Sequence, residues 1–199
     1  MLNIKVVPAG IYDANCYILV DEETKDCAII DIGGDSKKIE SAIESMHGNP
    51  KYILLTHGHF DHVGGVEEIS SKYNIPFYIS KTDEEYMEKD NSVFGTLPKA
   101  SGYLKEGDII KLGDNKIRVI ETPGHTKGGL CFLTGKKLFT GDTLFQGSIG
   151  RTDFIGGDMN EIISSIKNKL LPLGDDIEVY PGHGPSSSIG FEKMRNPYL

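Results

Sequence analysis

Only three cysteines occur in the chain, and Cys16, Cys27 and Cys131 fall singly inside strand-like apolar runs. An odd number at those spacings makes neither a metal knuckle nor a redox pair. Buried free thiols in a reducing cytoplasm are the reading that fits. No segment approaches the roughly 18 uninterrupted apolar residues of a membrane span, so a spanning helix is excluded. The N-terminal MLNIKVVPAG has no long apolar core and no cleavage site, and no secretory signal is read there. Basic residues are also short: 21 Lys and Arg against 29 Asp and Glu leave a net charge of −8. Without a basic block there is little to neutralise phosphates, which argues against a nucleic-acid partner. Repeats and low-complexity tracts are absent.

What is present is an ordinary globular composition. Hydrophobic residues make up 38% and charged residues 25% of 199 positions, enough for one sizeable core. In the first half NIKVV, CYILV, CAIID and KYILLT read as strands bounded by Gly, Asp and Pro. DSKKIESAIESM opens on an Asp-Ser cap signal and carries Ile39, Ala42, Ile43 and Met46 at helical spacing. GGVEEISSKY reads as a second helix, whereas the polar stretch 81–107 carries no clear pattern. In the second half DIIKLG, KIRVIET, GLCFLT and KKLFTG suggest an antiparallel meander. A helix follows in MNEIISSIKNKLLPL, then the strand IEVYPG and a short tail helix. Strands with interleaved helices in both halves predict an α/β chain of two packed sheets covered by helices. No linker divides the halves, so residues 1–199 are read as a single domain, acting as a monomer or homodimer.

Six histidines are unevenly spread, and three of them crowd into LLTHGHFDHVGG. His57, His59 and His62 surround Asp61, a set that is costly to bury unless paired or bound to a metal. Partners lie further on: His125 in ETPGHTKGG, Asp142 in LFTGDTLF and His183 in VYPGHGP, each after an apolar strand and beside glycine. Such strand-end loops are usual places for grafted chemistry. Imidazole with carboxylate suits zinc, iron or manganese. Seven ligands exceed one tetrahedral site and suffice for two, with one carboxylate shared. The sixth, His47, ends a helix before GNP and reads as a surface or C-capping residue.

HGHFDH, followed by His125, Asp142 and His183 in this order, resembles the metallo-β-lactamase superfamily. The resemblance covers nearly the whole chain and extends to IIDIGG around Asp31. It implies a four-layer αββα sandwich. It further implies that His57, His59 and His125 hold one metal and Asp61, His62 and His183 a second, with Asp142 bridging. Asp31 is then either a residue that orients the ligand loops or a simple turn carboxylate. Two such ions, zinc first with iron or manganese as alternatives, share a water and lower its pKa towards neutrality. Asp61 and Asp142 count as catalytic through those ions, and the expected reaction is hydrolysis of an ester-like or thioester bond.

FTGDTLFQGSIGRTDFIGGD narrows the resemblance to short glyoxalase II-like hydrolases, which cleave small thioesters such as S-lactoylglutathione. The family's C-terminal helical domain, which contacts glutathione, has no counterpart after His183. Arg151 matches a glutathione-contacting lysine, although Asp153 replaces a nearby tyrosine. It is therefore either an anion clamp or a brace paired with Asp153 or Asp158. GRTDF also resembles the persulfide dioxygenases, which use a single iron, and this is the alternative reading.

Overall fold

The computed structural model describes residues 1–199. Aliphatic and β-branched runs form its strands, and the turns between them fall on polar residues and glycine. The first half contains β1 (Leu2–Ala9), β2 (Ala14–Asp21), β3 (Asp26–Ile30), α1 (Ser36–Ser45), β4 (Asn49–Leu54) and α2 (Phe60–Val63). It continues through α3 (Val66–Tyr73), β5 (Phe77–Ile79), α4 (Lys81–Lys89) and β6 (Gly102–Tyr103). Its six strands lie side by side in chain order, antiparallel from β1 to β3 and parallel from β3 to β6.

The second half runs β7 (Ile109–Leu112), β8 (Asn115–Glu121), β9 (Leu130–Thr134) and β10 (Lys137–Gly141) as the expected antiparallel meander. A small hairpin, β11 (Leu144–Phe145) with β12 (Ser148–Ile149), leads to α5 (Met159–Ser165). β13 (Glu178–Pro181), β14 (Ser187–Ser188) and α6 (Ile189–Arg195) complete the chain. β13 returns parallel to β10 because the crossover through α5 brings it back in the same direction.

Three separate buried clusters identify the layers. One packs β1–β5 against α1 and α3 through Ile18, Ile29, Ile39 and Ile69. The second lies between the sheets, where Leu19, Leu54, Phe132 and Phe139 meet. The third packs the second sheet against α5 and α6 through Val179, Ile162 and Ile189. Three interfaces make four layers, and the predicted αββα sandwich is the fold. β2 shows the principle in one strand: Cys16, Ile18 and Val20 enter the first cluster, Tyr17 and Leu19 the second. Covered on both faces, it has no polar alternation to display.

Several local expectations need correction. Asp35 precedes α1 but does not cap it: its backbone is left-handed at φ 50°, and its carboxylate accepts the Gly10 N–H at 3.1 Å instead. The unpatterned stretch after residue 80 contains α4, capped by Ser80 Oγ, which accepts the Asp83 N–H at 3.1 Å. α5 is shorter than its sequence pattern, giving way to a π turn at Ile166–Leu170 and a 3₁₀ turn at Leu171–Leu173. Pro172 has no N–H to continue an α-helix. His47 follows α1 with φ 53°, as a helix-terminating residue does. All three cysteines are buried and free, and no helix is long and apolar enough to cross a membrane.

Candidate metal centre

The seven predicted ligands converge at one end of the sandwich, where strands from both sheets stop. β4 runs out through Leu55 and Thr56 into His57 and His59, and α2 carries Asp61 and His62. His125 lies in the turn between β8 and β9. Asp142 follows β10 and His183 follows β13, two neighbouring strands that pair Gly141 with Pro181. The Gly182 N–H donates to Gly141 O at 2.7 Å, so sheet register itself sets Asp142 beside His183. Glycine is required there: a Cβ on Gly182 would stand 2.2 Å from Asp142 Oδ1 and 2.8 Å from His62 Cε1.

Outward hydrogen bonds fix three of the rings. His57 Nδ1 lies 2.9 Å from Thr56 Oγ1, whose hydroxyl donates to Asp31 Oδ2 at 2.7 Å. His62 Nδ1 meets the same Asp31 oxygen at 2.8 Å, and His125 Nδ1 meets the Arg151 carbonyl at 2.7 Å. Each acceptor draws the ring proton to Nδ1 and turns an Nε2 lone pair inward. His57 Nε2 and Asp142 Oδ1 are buried there without a hydrogen-bond partner. Orphaned acceptors of this kind are what a cation satisfies.

The spacing of the inward atoms is equally specific. Ligands about 2.0–2.1 Å from a tetrahedral zinc lie roughly 3.3 Å from one another. His59 Nδ1 is 3.0 Å from His125 Nε2, and His62 Nε2 is 3.2 Å from His183 Nε2. Asp61 Oδ2 stands 3.3 Å from His183 Nε2. Asp142 reaches both groups: Oδ1 is 3.3 Å from His62 Nε2, and Oδ2 is 3.5 Å from His125 and 3.6 Å from His183. Two clusters with metal-ligand spacing result, His57–His59–His125 and Asp61–His62–His183. Asp31, His57 and His62 also lie close together, but through the outward nitrogens that Asp31 and Thr56 occupy.

The electrostatics divide the same way. Burial, then the neighbouring imidazole of His62, pushes His57 well below the usual histidine range. Burial beside His125 lowers His59 to about 3, and burial lowers His125 despite the carboxylate of Asp142. At the other end burial is outweighed. Asp142 and Asp31 hold His62 well above its ordinary value, and Asp61 and Asp142 raise His183. Asp142 is buried, yet the facing histidines, His62 foremost, hold its carboxyl far below the usual carboxylate range.

A cleft of about 570 Å³ opens over the centre, walled by Tyr12, Phe60, Val93 and Phe154. Arg151 lies at its edge. Its Nε and Nη2 donate to the two Asp153 oxygens at 2.7 Å each, and its guanidinium stacks 3.8 Å from the centroid of Phe154. Two residues escaped the sequence reading. Thr56 relays Asp31 to His57. Asp83, fully buried, accepts from Gly58 N–H at 3.0 Å, Gly128 N–H at 2.7 Å and Thr126 Oγ1 at 2.8 Å. The Ser80-x-x-Asp83 pattern of a capped helix was the available signal.

Comparison with known proteins identifies the family. Residues 9–183 match the family model of the metallo-beta-lactamase superfamily. Hydroxyacylglutathione hydrolase GloC of Haemophilus influenzae is 40% identical, the match covering all of this chain and 98% of that one. Among solved structures, the BLEG-1 B3 metallo-beta-lactamase has a TM-score of 0.91 at 35% identity, over 100% of this chain and 99% of that one. TTHA1623 in a di-iron-bound form gives 0.88 at 32% identity, over 98% and 100%. ETHE1 from Myxococcus xanthus gives 0.86 at 25% identity, over 98% and 83%.

Proposed function

Since the chain belongs to the metallo-β-lactamase superfamily, we propose that it is a binuclear metallohydrolase cleaving thioesters of the S-lactoylglutathione type. The carrying observation is the pair of ligand clusters sharing Asp142. In this reading His57, His59 and His125 hold one ion, Asp61, His62 and His183 hold the other, and Asp142 faces both. Two divalent ions, zinc or alternatively iron or manganese, would supply a nucleophilic water at neutral pH and polarise the scissile carbonyl. The protein's own part is to present unprotonated lone pairs. Asp31 and Thr56 keep the ring protons of His62 and His57 on the outer nitrogens, and the Arg151 carbonyl does so for His125.

The cleft supports a thioester over an amide. Apart from the ligands, its only proton donors are Tyr12, Ser92 and Arg151. A thiol ionises near pH 8.5 and leaves as thiolate without a general acid, whereas an amine has to be protonated. Homology to a hydroxyacylglutathione hydrolase points the same way. Three buried free cysteines fit a cytoplasmic enzyme. One purified preparation tests the proposal: metal per chain, S-lactoylglutathione hydrolysis, and oxygen uptake with glutathione persulfide. Two metals per chain with hydrolysis is the expected result. One iron with persulfide-dependent oxygen uptake would replace the proposal with the dioxygenase suggested by GRTDF.

A further inference from the structure

We propose that Asp83 is a positioning residue for the three-histidine end of the centre, a single carboxylate that ties the His57–His59 loop to the His125 loop. This rests on the metal-centre reading above. Asp83 sits in the first turn of α4, where an acidic side chain ordinarily turns back to its own helix cap. Here every side-chain hydrogen bond goes outward. Oδ2 accepts from Gly58 N–H, between His57 and His59, and from Thr126 Oγ1, next to His125. Oδ1 accepts from Gly128 N–H on that second loop.

None of these partners is cationic, and a fully buried carboxylate without a counter-charge is costly. The loops are also closely fitted to α4. A Cβ on Gly128 would come within 2.1 Å of Ser80 Oγ, and one on Gly58 within 2.9 Å of Met87. The spacing of His59 from His125 is therefore set by a shared anchor, since the two loops come from different sheets.

Asparagine offers one acceptor oxygen where aspartate offers two, so Asp83→Asn preserves shape but sets its NH₂ against either the Gly128 N–H or the Gly58 N–H, and one of the two backbone tethers is lost. Single-site backgrounds separate the two ends: His183→Ala leaves the three-histidine end, and His57→Ala leaves the other. Zinc affinity is read by chelator competition. In the His183→Ala background Asp83→Asn should weaken zinc by about 10- to 100-fold, the usual effect of removing an outer partner. In the His57→Ala background it should leave zinc affinity unchanged. Ser80→Ala, which removes the cap of α4 but no hydrogen bond to either loop, should not reproduce the selective loss. Equal weakening in both backgrounds, no weakening, or the same selectivity from Ser80→Ala would overturn the assignment. Amide exchange at Gly58 and Gly128 in zinc-free protein decides the matter independently. Faster exchange in Asp83→Asn than in Ser80→Ala supports it, and equal exchange refutes it. Absence of zinc binding in both parent backgrounds would defeat the metal reading, and the exchange comparison would still judge Asp83.

Discussion

Asparagine in place of Asp31 changes one atom, yet this side chain holds one proposed ligand, His62, directly and a second, His57, through Thr56. Asp31 is 2% exposed, and its left-handed backbone at φ 53° is one that asparagine also adopts, so the substitution tests chemistry rather than strain. Oδ1 accepts the Thr56 N–H at 2.8 Å; Oδ2 accepts the Thr56 hydroxyl and the His62 Nδ1–H. An amide oxygen at the Oδ2 position keeps the last two bonds but drives an NH₂ against the Thr56 N–H. Reversed, the NH₂ faces His62 Nδ1 and pushes the ring proton to Nε2, the nitrogen that should face the metal. Either arrangement forfeits at least one charge-assisted bond, about 1.5–3 kcal/mol. Losing an outer-partner bond to a ligand histidine weakens metal binding about 10- to 100-fold, or about 1.4–2.7 kcal/mol. The two ranges overlap, so one lost bond accounts for the whole effect. Chelator competition with zinc should show the deficit at the Asp61–His62–His183 end where the NH₂ faces His62, and at the three-histidine end, through Thr56, where it faces the Thr56 N–H. Parent-like affinity in a variant that folds normally would refute the reasoning, because packing alone would then orient His62.

Asp142→Ala should lose activity and most bound metal, and a variant with two tightly held ions and normal turnover would dismiss the shared carboxylate. Protons compete with metal for imidazole lone pairs, and raised histidines hold them at higher pH than depressed ones. Because His62 and His183 are raised while His57, His59 and His125 are lowered, acid should empty the Asp61–His62–His183 end first. Metal per chain after dialysis at successively lower pH should step from two to one, then to none; simultaneous loss would contradict this. Gly182→Ala should cost metal more than melting temperature, because its Cβ would invade the space of Asp142 Oδ1; a full metal complement would count against that close fit. If Arg151 grips an anionic substrate, Arg151→Ala should raise KM roughly 10- to 150-fold on S-lactoylglutathione, leaving kcat and a small uncharged thioester nearly untouched. Equal penalties on both substrates would leave Arg151 as a brace for Asp153.

The sequence made the candidate ligands easy to pick out because each is unusual for its setting: an imidazole or carboxylate beside glycine at the end of an apolar strand. The layers were readable for a similar reason, since runs such as CYILV and KYILLT declare strands covered on both sides. What periodicity could not tell was pairing. Nothing in β3, β4 and β5 announces that they run parallel, because that follows from helices carrying the chain back across the sheet. Local rules failed where a distant partner outbid them. Asp35 has the form of a cap, but the Gly10 N–H takes its carboxylate. Asp83 was lost in a polar stretch because its three partners come from loops on either side of it in sequence.

The outward tethers on His57, His62 and His125 bear on cellular metal traffic. Inward donors that already stand at coordination distances from one another need little rearrangement to accept an ion. A ready-made mixed nitrogen and oxygen set of this kind does little to discriminate among first-row cations by reshaping itself, and their relative affinities then follow the intrinsic order of the ions. On the proposed metal reading, the ion found in the centre would then reflect what the surrounding compartment supplies. Preparations grown on different trace-metal media should differ in content while sharing one architecture.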